Sequence, residues 1–284
     1  MSTISAALVN ELRKKTDAPL MDCKKALTVS EGDMEKAILY LRSQNSKAAV
    51  KREGNETAEG RVGIFIDAAK AEAAILEMRC ESAPSAKSDL YIKLVADLAH
   101  HVAAHNPATV DELMAQPVGE GTVKTRVEEV VGLIREKMVV HQFKRYTGGV
   151  FGEYVHHDGM TGALLHCTGT GGNAEALRDV AAHIAAMNPQ YLNPAAVPAD
   201  AVAKETEFLK KQIAEDPKHV GKPANIFEKI AEGKVRTWLA EICLTEQPMA
   251  NAAKYPGQTV GQVLSKMGLT AAGFTRYKVG TVAV

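Results

Sequence analysis

One nine-residue segment occurs twice. Ala99-His100-His101-Val102-Ala103-Ala104-His105-Asn106-Pro107 returns as Ala181-Ala182-His183-Ile184-Ala185-Ala186-Met187-Asn188-Pro189, with six identities in nine positions at a spacing of 82 residues. The order before each copy is also shared. Two runs of strand character, 61–67 and 73–79, precede a helix expected at about 85–105; runs at 150–156 and 162–167 precede a helix at about 173–187. An internal duplication of a hairpin-plus-helix unit accounts for this and predicts two related α+β subdomains with antiparallel sheets. Small residues along one stripe of each helix suit a helix lying close on its sheet.

The rest of the chain flanks or interrupts the repeat. Residues 2–15, 22–29 and 33–43 read as three short helices, with Ile4, Leu8 and Leu12 forming one stripe, Met34, Ile38 and Leu41 another, and Asp22 and Asp33 placed as N-caps. In the turn before the second helix, Leu20 and Met21 follow Pro19; two readings stand, core of a small bundle or exposed contact. Residues 46–60 are charged and small and read as a linker. After a Pro-bounded turn, a helix at 123–140 and a strand from Phe143 close the first unit. Residues 198–244 form two charged helices about a break at 216–223, with Val202, Leu209 and Ile213 facing Ile226, Ile230, Leu239 and Ile242. Such a hairpin leaves Phe208, Phe227 and Trp238 in search of another surface. A helix at 259–267 and a strand at 274–279 end the chain. The boundaries are therefore 1–55, 56–147 and 148–284, with the hairpin inserted at about 198–244.

Chemistry is sparse. Lys plus Arg and Asp plus Glu both number 34, so no net field draws the chain to nucleic acid or an anionic membrane. No run nears 18 apolar residues, and the N-terminus has neither a secretory nor an organellar leader pattern, so a cytoplasmic protein is expected. Four cysteines without CxxC spacing read as reduced thiols. His101 and His105 share a helix face at zinc-hydrolase spacing, but Val102 stands where that chemistry needs a glutamate. Gly169-Thr170-Gly171-Gly172-Asn173 follows a strand and opens a helix, yet matches no phosphate-loop pattern; a turn and cap is the plainer reading. No GxSxG elbow marks a nucleophile. The expectation is a non-enzyme without metal, cofactor or catalytic residue. The segment from Cys80 through Glu81, Ser82, Ala83, Pro84 and Ser85 reads as a turn with Ser85 as N-cap.

Glu11-Leu12-Arg13, Thr16, Ala18 and Met21-Asp22-Cys23-Lys24-Lys25-Ala26-Leu27 closely resemble the N-terminal signature of the elongation factor Ts family. The likeness continues through Gly32-Asp33, Ala37-Ile38, Gly152-x-Tyr154-x-His156, His183-Ile184-Ala185-Ala186, Leu244-Thr245-x-Gln247-Pro248 and 259–264. It implies a ubiquitin-associated-like three-helix domain, two related core subdomains and a protruding coiled-coil hairpin. It also implies a partner, elongation factor Tu in its GDP-bound and nucleotide-free forms, whose nucleotide exchange the chain would promote. By the same resemblance, Leu20 and Met21 touch the GTPase domain and Glu81, Ser82, Ala83, Pro84 and Ser85 form the loop nearest the nucleotide. His156 lies on the face toward the partner's other domains. Where the family commonly reads Thr-Asp-Phe, this chain has Ser82-Ala83-Pro84. It ends soon after its last strand, where many members continue into a C-terminal helical module. A diverged, weakly exchanging binding protein is the alternative, and a homodimer through the core or the hairpin is left open.

Overall fold

The computed structural model describes residues 4–216 and 223–280. Three helices open it: α1 (Ala6–Thr16), α2 (Leu20–Val29) and α3 (Met34–Lys51). Ser5 and Asp33 cap α1 and α3 by accepting from Leu8 and Lys36 backbone N–H groups. Leu12, Cys23, Ala26, Leu27 and Ala37 are fully buried in a core belonging to this bundle. Two expectations need correction. Pro19, not Asp22, stands at the N-cap of α2, because its extended backbone leads straight into the helix and Asp22 falls in the first turn. The expected linker is helical as far as Lys51, where Ala49 packs on the next unit's core.

Strands β1 (Glu59–Asp67) and β2 (Glu72–Cys80) pair as a hairpin. A short α4 (Ala83–Ala86) and the long α5 (Asp89–His105) follow. Then come α6 (Val110–Ala115), a two-residue ribbon β3 (Pro117–Val118) with β4 (Gly121–Thr122), α7 (Val123–Ile134) and β5 (Met138–Thr147), which pairs antiparallel with β2. The expected helix at 85–105 is thus two: Ser82 caps α4, Ser88 caps α5, and Ser85 caps neither. The helix expected to reach residue 140 stops at Ile134, and Met138 already belongs to a strand.

The second unit repeats the plan. Strands β6 (Val150–Val155) and β7 (Thr161–Gly169) form a hairpin and α8 (Ala174–Met187) follows. Helices α9 (Ala199–Glu215) and α10 (Ala224–Ile242) then pack as the hairpin, before α11 (Val260–Lys266) and β8 (Leu269–Lys278), which joins β7. The turn of the hairpin, at 217–222, lies outside the described residues. Leu209, Ile213 and Ala231 are buried between its arms, while Phe208 and Ile226 stay exposed.

Alternation along β2 and β7 builds the layers. Ala74, Leu76 and Met78 point at α5 and α7, and Ala163, Leu165 and Cys167 point at α8 and α11. The opposite faces meet: Val62, Ala73, Ile75, Phe151 and Leu164 form one core between the two sheets. Strands buried on both faces read as near-continuous apolar runs, as these do.

The duplication extends well beyond nine residues. Asn106 and Asn188 both end their helices in the left-handed region, at φ 49° and 50°. His101 Nε2 lies 3.0 Å from Gln116 Oε1, and His183 Nε2 lies 2.9 Å from Gln247 Oε1. Val123 N–H donates to the Gln116 carbonyl and Val260 N–H to that of Gln247, each at 3.0 Å. Arg145 and Arg276 donate through Nε to the carbonyls of Ala103 and Ala185 at 2.6 and 3.0 Å. Gly63 and Gly152 sit where a Cβ would strike Val95 and Leu177, two residues with the repeat spacing, so each glycine lets its helix lie close on its strand.

Candidate functional site

The site is built from the first turn of α2 and the loop after β2. Because α2 begins on Pro19, Leu20 and Met21 lie in its opening turn, away from Cys23, Ala26 and Leu27 that carry the bundle core. They remain 47% and 70% exposed. The bundle therefore presents two adjacent apolar side chains to solvent, which settles the choice between core and surface.

The loop is clamped from below. Ser82 Oγ donates to Glu136 Oε1 at 2.6 Å and its N–H donates to Glu136 Oε2 at 3.0 Å. The Glu81 carboxylate accepts from the Lys137 backbone N–H and, at 2.9 Å, from Asn55 Nδ2; these bonds, led by the first, favour the ionised form and hold its pKa below the usual carboxylate range. Ser85 is buried, Ala83 is partly covered, and Pro84 alone of the five is exposed. A proline in the first turn of α4, where its missing N–H costs nothing, makes that exposed point stiff. The loop thus offers an apolar knob without a charge or an aromatic ring.

Residues 135–137 join the two parts. Arg135 caps α7 at φ 64°, a left-handed conformation. Its guanidinium meets Asp22 Oδ2, beside Met21, at 3.3 Å, and its carbonyl accepts from Arg52 Nε at 2.8 Å. Glu136 then takes Ser82, and Lys137 Nζ donates to the carbonyls of Glu53 and Asn55 at 2.5 and 2.7 Å. Sequence reasoning missed this segment because nothing in Arg-Glu-Lys halts a helix. A signal was nevertheless present: Phe143-x-Arg145-Tyr146 recurs as Phe274-x-Arg276-Tyr277, and Gln116-Pro117 as Gln247-Pro248, both at a spacing of 131.

His156 is built elsewhere, just past the end of β6. Its Nδ1 lies 3.0 Å from Tyr154 Oη, Arg178 stacks on the Tyr154 ring, and Thr161, Ala182, Ala185 and Ala186 complete a shallow hollow. The structure gathers Leu20, Met21 and the 81–85 loop about residues 135–137 and leaves His156 with α8 on the second unit.

The other motifs resolve into structure. His105 Nδ1 contacts the His101 carbonyl at 3.1 Å and the two rings stack at 4.1 Å, while His101 holds Gln116. At the glycine loop, Asn173 caps α8, and Gly169 and Gly171 lie against the backbone at Gly268 and Met267, where a Cβ could not fit. No group of three or more potential metal ligands converges among the described residues, and no described helix is long and apolar enough to cross a membrane.

Residues 85–281 match the family model described as Elongation factor TS. Over 99% of its length the chain is 37% identical to Elongation factor Ts of Nautilia profundicola, 94% of which is covered. The chain belongs to the elongation factor Ts family. It is 41% identical to Elongation factor Ts of Bordetella petrii and 39% identical to that of Lactiplantibacillus plantarum, covering 92% and 93% of them. Those full-length likenesses take in the N-terminal bundle, which precedes the family model's match. Membership in this family of translation elongation factors, together with the α+β architecture, agrees with the reading from residues.

Proposed function

We propose that this chain binds elongation factor Tu in the cytoplasm and promotes release of its GDP and exchange for GTP, without catalysing a chemical reaction. The observation that carries the reading is the pairing of exposed Leu20 and Met21 with the clamped knob at Pro84 through residues 135–137. Apolar residues on a rigid frame suit binding to a protein surface that must be deformed; nothing about them suits bond-breaking. In this reading Leu20, Met21 and Pro84 press on the GTPase domain, Glu81, Ser82 and Ser85 hold the loop's shape, and His156 lies toward the partner's other domains. The boundaries 1–55, 56–147 and 148–284 are proposed as the working units.

Exchange requires tighter binding to the nucleotide-free partner than to its GDP form. By linkage, the factor by which GDP weakens this chain's binding equals the factor by which the chain weakens GDP. Titrating the chain into both forms, and GDP into the partner with and without the chain, measures both factors; equal affinity for the two forms would sink the proposal. The second reading, a binding relative with weak exchange activity, is favoured by one observation only: Ala83 and Pro84 offer neither charge nor aromatic ring. It predicts binding with little difference between the two forms.

A further inference from the structure

We infer that Arg135 and Glu136 are positioning residues for nucleotide release: they set the spacing between the apolar end of α2 and the knob at Pro84. The inference rests on the proposed function for its consequence, and on geometry alone for its structural content.

The backbone at residue 135 is the first sign. Glycine is the natural occupant of a left-handed helix C-cap, since any Cβ there is strained. An arginine holds φ 64° instead, and its side chain gains only an ion pair whose partners are 63% and 43% exposed. Exposed pairs add little to stability. What the arginine does is geometric: its guanidinium fixes Asp22 at the apolar end of α2, and its carbonyl fixes Arg52 beyond the end of α3.

Glu136 continues the frame to the other side of the site. Both its carboxylate oxygens are used, one on the Ser82 hydroxyl and one on the Ser82 N–H, so this side chain, beside the bonds of Glu81 to Lys137 and Asn55, sets the loop's height. One turn back along α7, Gly132 lies so near α3 that a Cβ would run into the Asn45 amide, which brings the bundle close enough for these bonds to form. Elsewhere along the junction Arg42 meets Glu120 and Glu129 at 3.4 and 3.9 Å beside a cleft of about 360 Å³, and Asp22, Arg52 and Arg135 line a second of about 260 Å³. Packing of α3 on α7, with Ala49 against the next unit's core, brings the bundle and the core together; at the edge that faces the site, the directional bonds of Arg135 and Glu136 set the spacing of the two apolar parts.

Two independent readouts test this. Spin labels at Lys24→Cys and Lys87→Cys, both exposed, report the spacing by pulsed dipolar spectroscopy; the four native cysteines are buried and stay unlabelled. Arg135→Asp and Glu136→Ala should each broaden a narrow distance distribution, and the swap Asp22→Arg with Arg135→Asp should narrow it again. In GDP release from the partner, the same single variants should lower the saturating rate, by up to about a hundredfold where a contact is misplaced by about an ångström. The half-saturating concentration should stay within about twofold, since Leu20, Met21 and Pro84 are retained. The charge swap should recover most of the rate. A merely structural role predicts lower melting temperatures with an unchanged saturating rate. Unchanged distance distributions in both single variants, or failure of the swap to restore them, would overturn the inference. If the unmodified chain does not speed release, the proposed function fails, while the distances still decide the present point.

Discussion

His101 and His183 occupy the same position of the duplicated unit, yet truncating them should cost different amounts. His183 is 1% exposed; its Nε2 donates to Gln247 Oε1 and its Nδ1 accepts from the Ala250 N–H at 3.0 Å. Gln247 is itself 2% exposed and also donates to the Glu241 carbonyl. His183→Ala therefore orphans a buried acceptor on Gln247, at about 1–3 kcal/mol, and also frees the N–H of Ala250, an exposed residue that water can reach. His101 makes one side-chain bond, to a Gln116 that is only partly buried and can be rehydrated, so His101→Ala should cost about 1 kcal/mol. Urea unfolding followed by circular dichroism measures both. Equal losses, or a larger loss at His101, would refute the reasoning that burial of the partner sets the cost. A pH dependence accompanies it. Burial holds the His183 imidazole below its ordinary value, so the unfolded chain binds a proton near pH 6.5 that the folded chain resists. Stability should be level above that pH and decline as pH falls below it, and the decline should be shallower in His183→Ala.

Other outcomes are as specific. Replacing Leu20 and Met21 by Ala should weaken binding to elongation factor Tu by about 1–3 kcal/mol while shifting the unfolding midpoint little, because neither side chain is buried; calorimetric titration and melting separate the two. Gly152→Ala should destabilise the second unit by about 1–3 kcal/mol, since a Cβ meets the Leu177 backbone; a urea midpoint equal to that of the unmodified chain would contradict this. Burial pushes the thiols of Cys80 and Cys167 up to about 11 and about 12, so both should resist a thiol reagent until denaturant is added. Arg135→Gly should lower the backbone strain at the α7 cap yet loosen the bundle, visible as faster hydrogen exchange in α2 with an unchanged global midpoint.

Much of the architecture was legible because it follows from repetition and period. The nine-residue repeat forced two related units, and apolar runs in β2 and β7 marked central strands buried on both faces. Element ends were less legible. Ile134 ends α7 at an arginine, a residue that ordinarily continues a helix, and Asp22 lost the N-cap to Pro19 because a proline's extended backbone serves as well as a capping side chain. In the candidate site, Leu20, Met21 and Pro84 were named through the family resemblance and are the exposed members. Their support was not, since Ser82 with Glu136 and Asp22 with Arg135 join residues 54 and 113 apart through tertiary contact. Such pairs leave no local period to read.

The most direct test is stopped-flow release of a fluorescent GDP from the same organism's elongation factor Tu at rising concentrations of this chain. The account predicts a release rate that climbs with concentration and saturates, from an apolar knob at Pro84 without an acid or an aromatic ring beside it. A rate that stays at the spontaneous value while binding is shown separately would contradict it and leave a protein that holds the GTPase without emptying it.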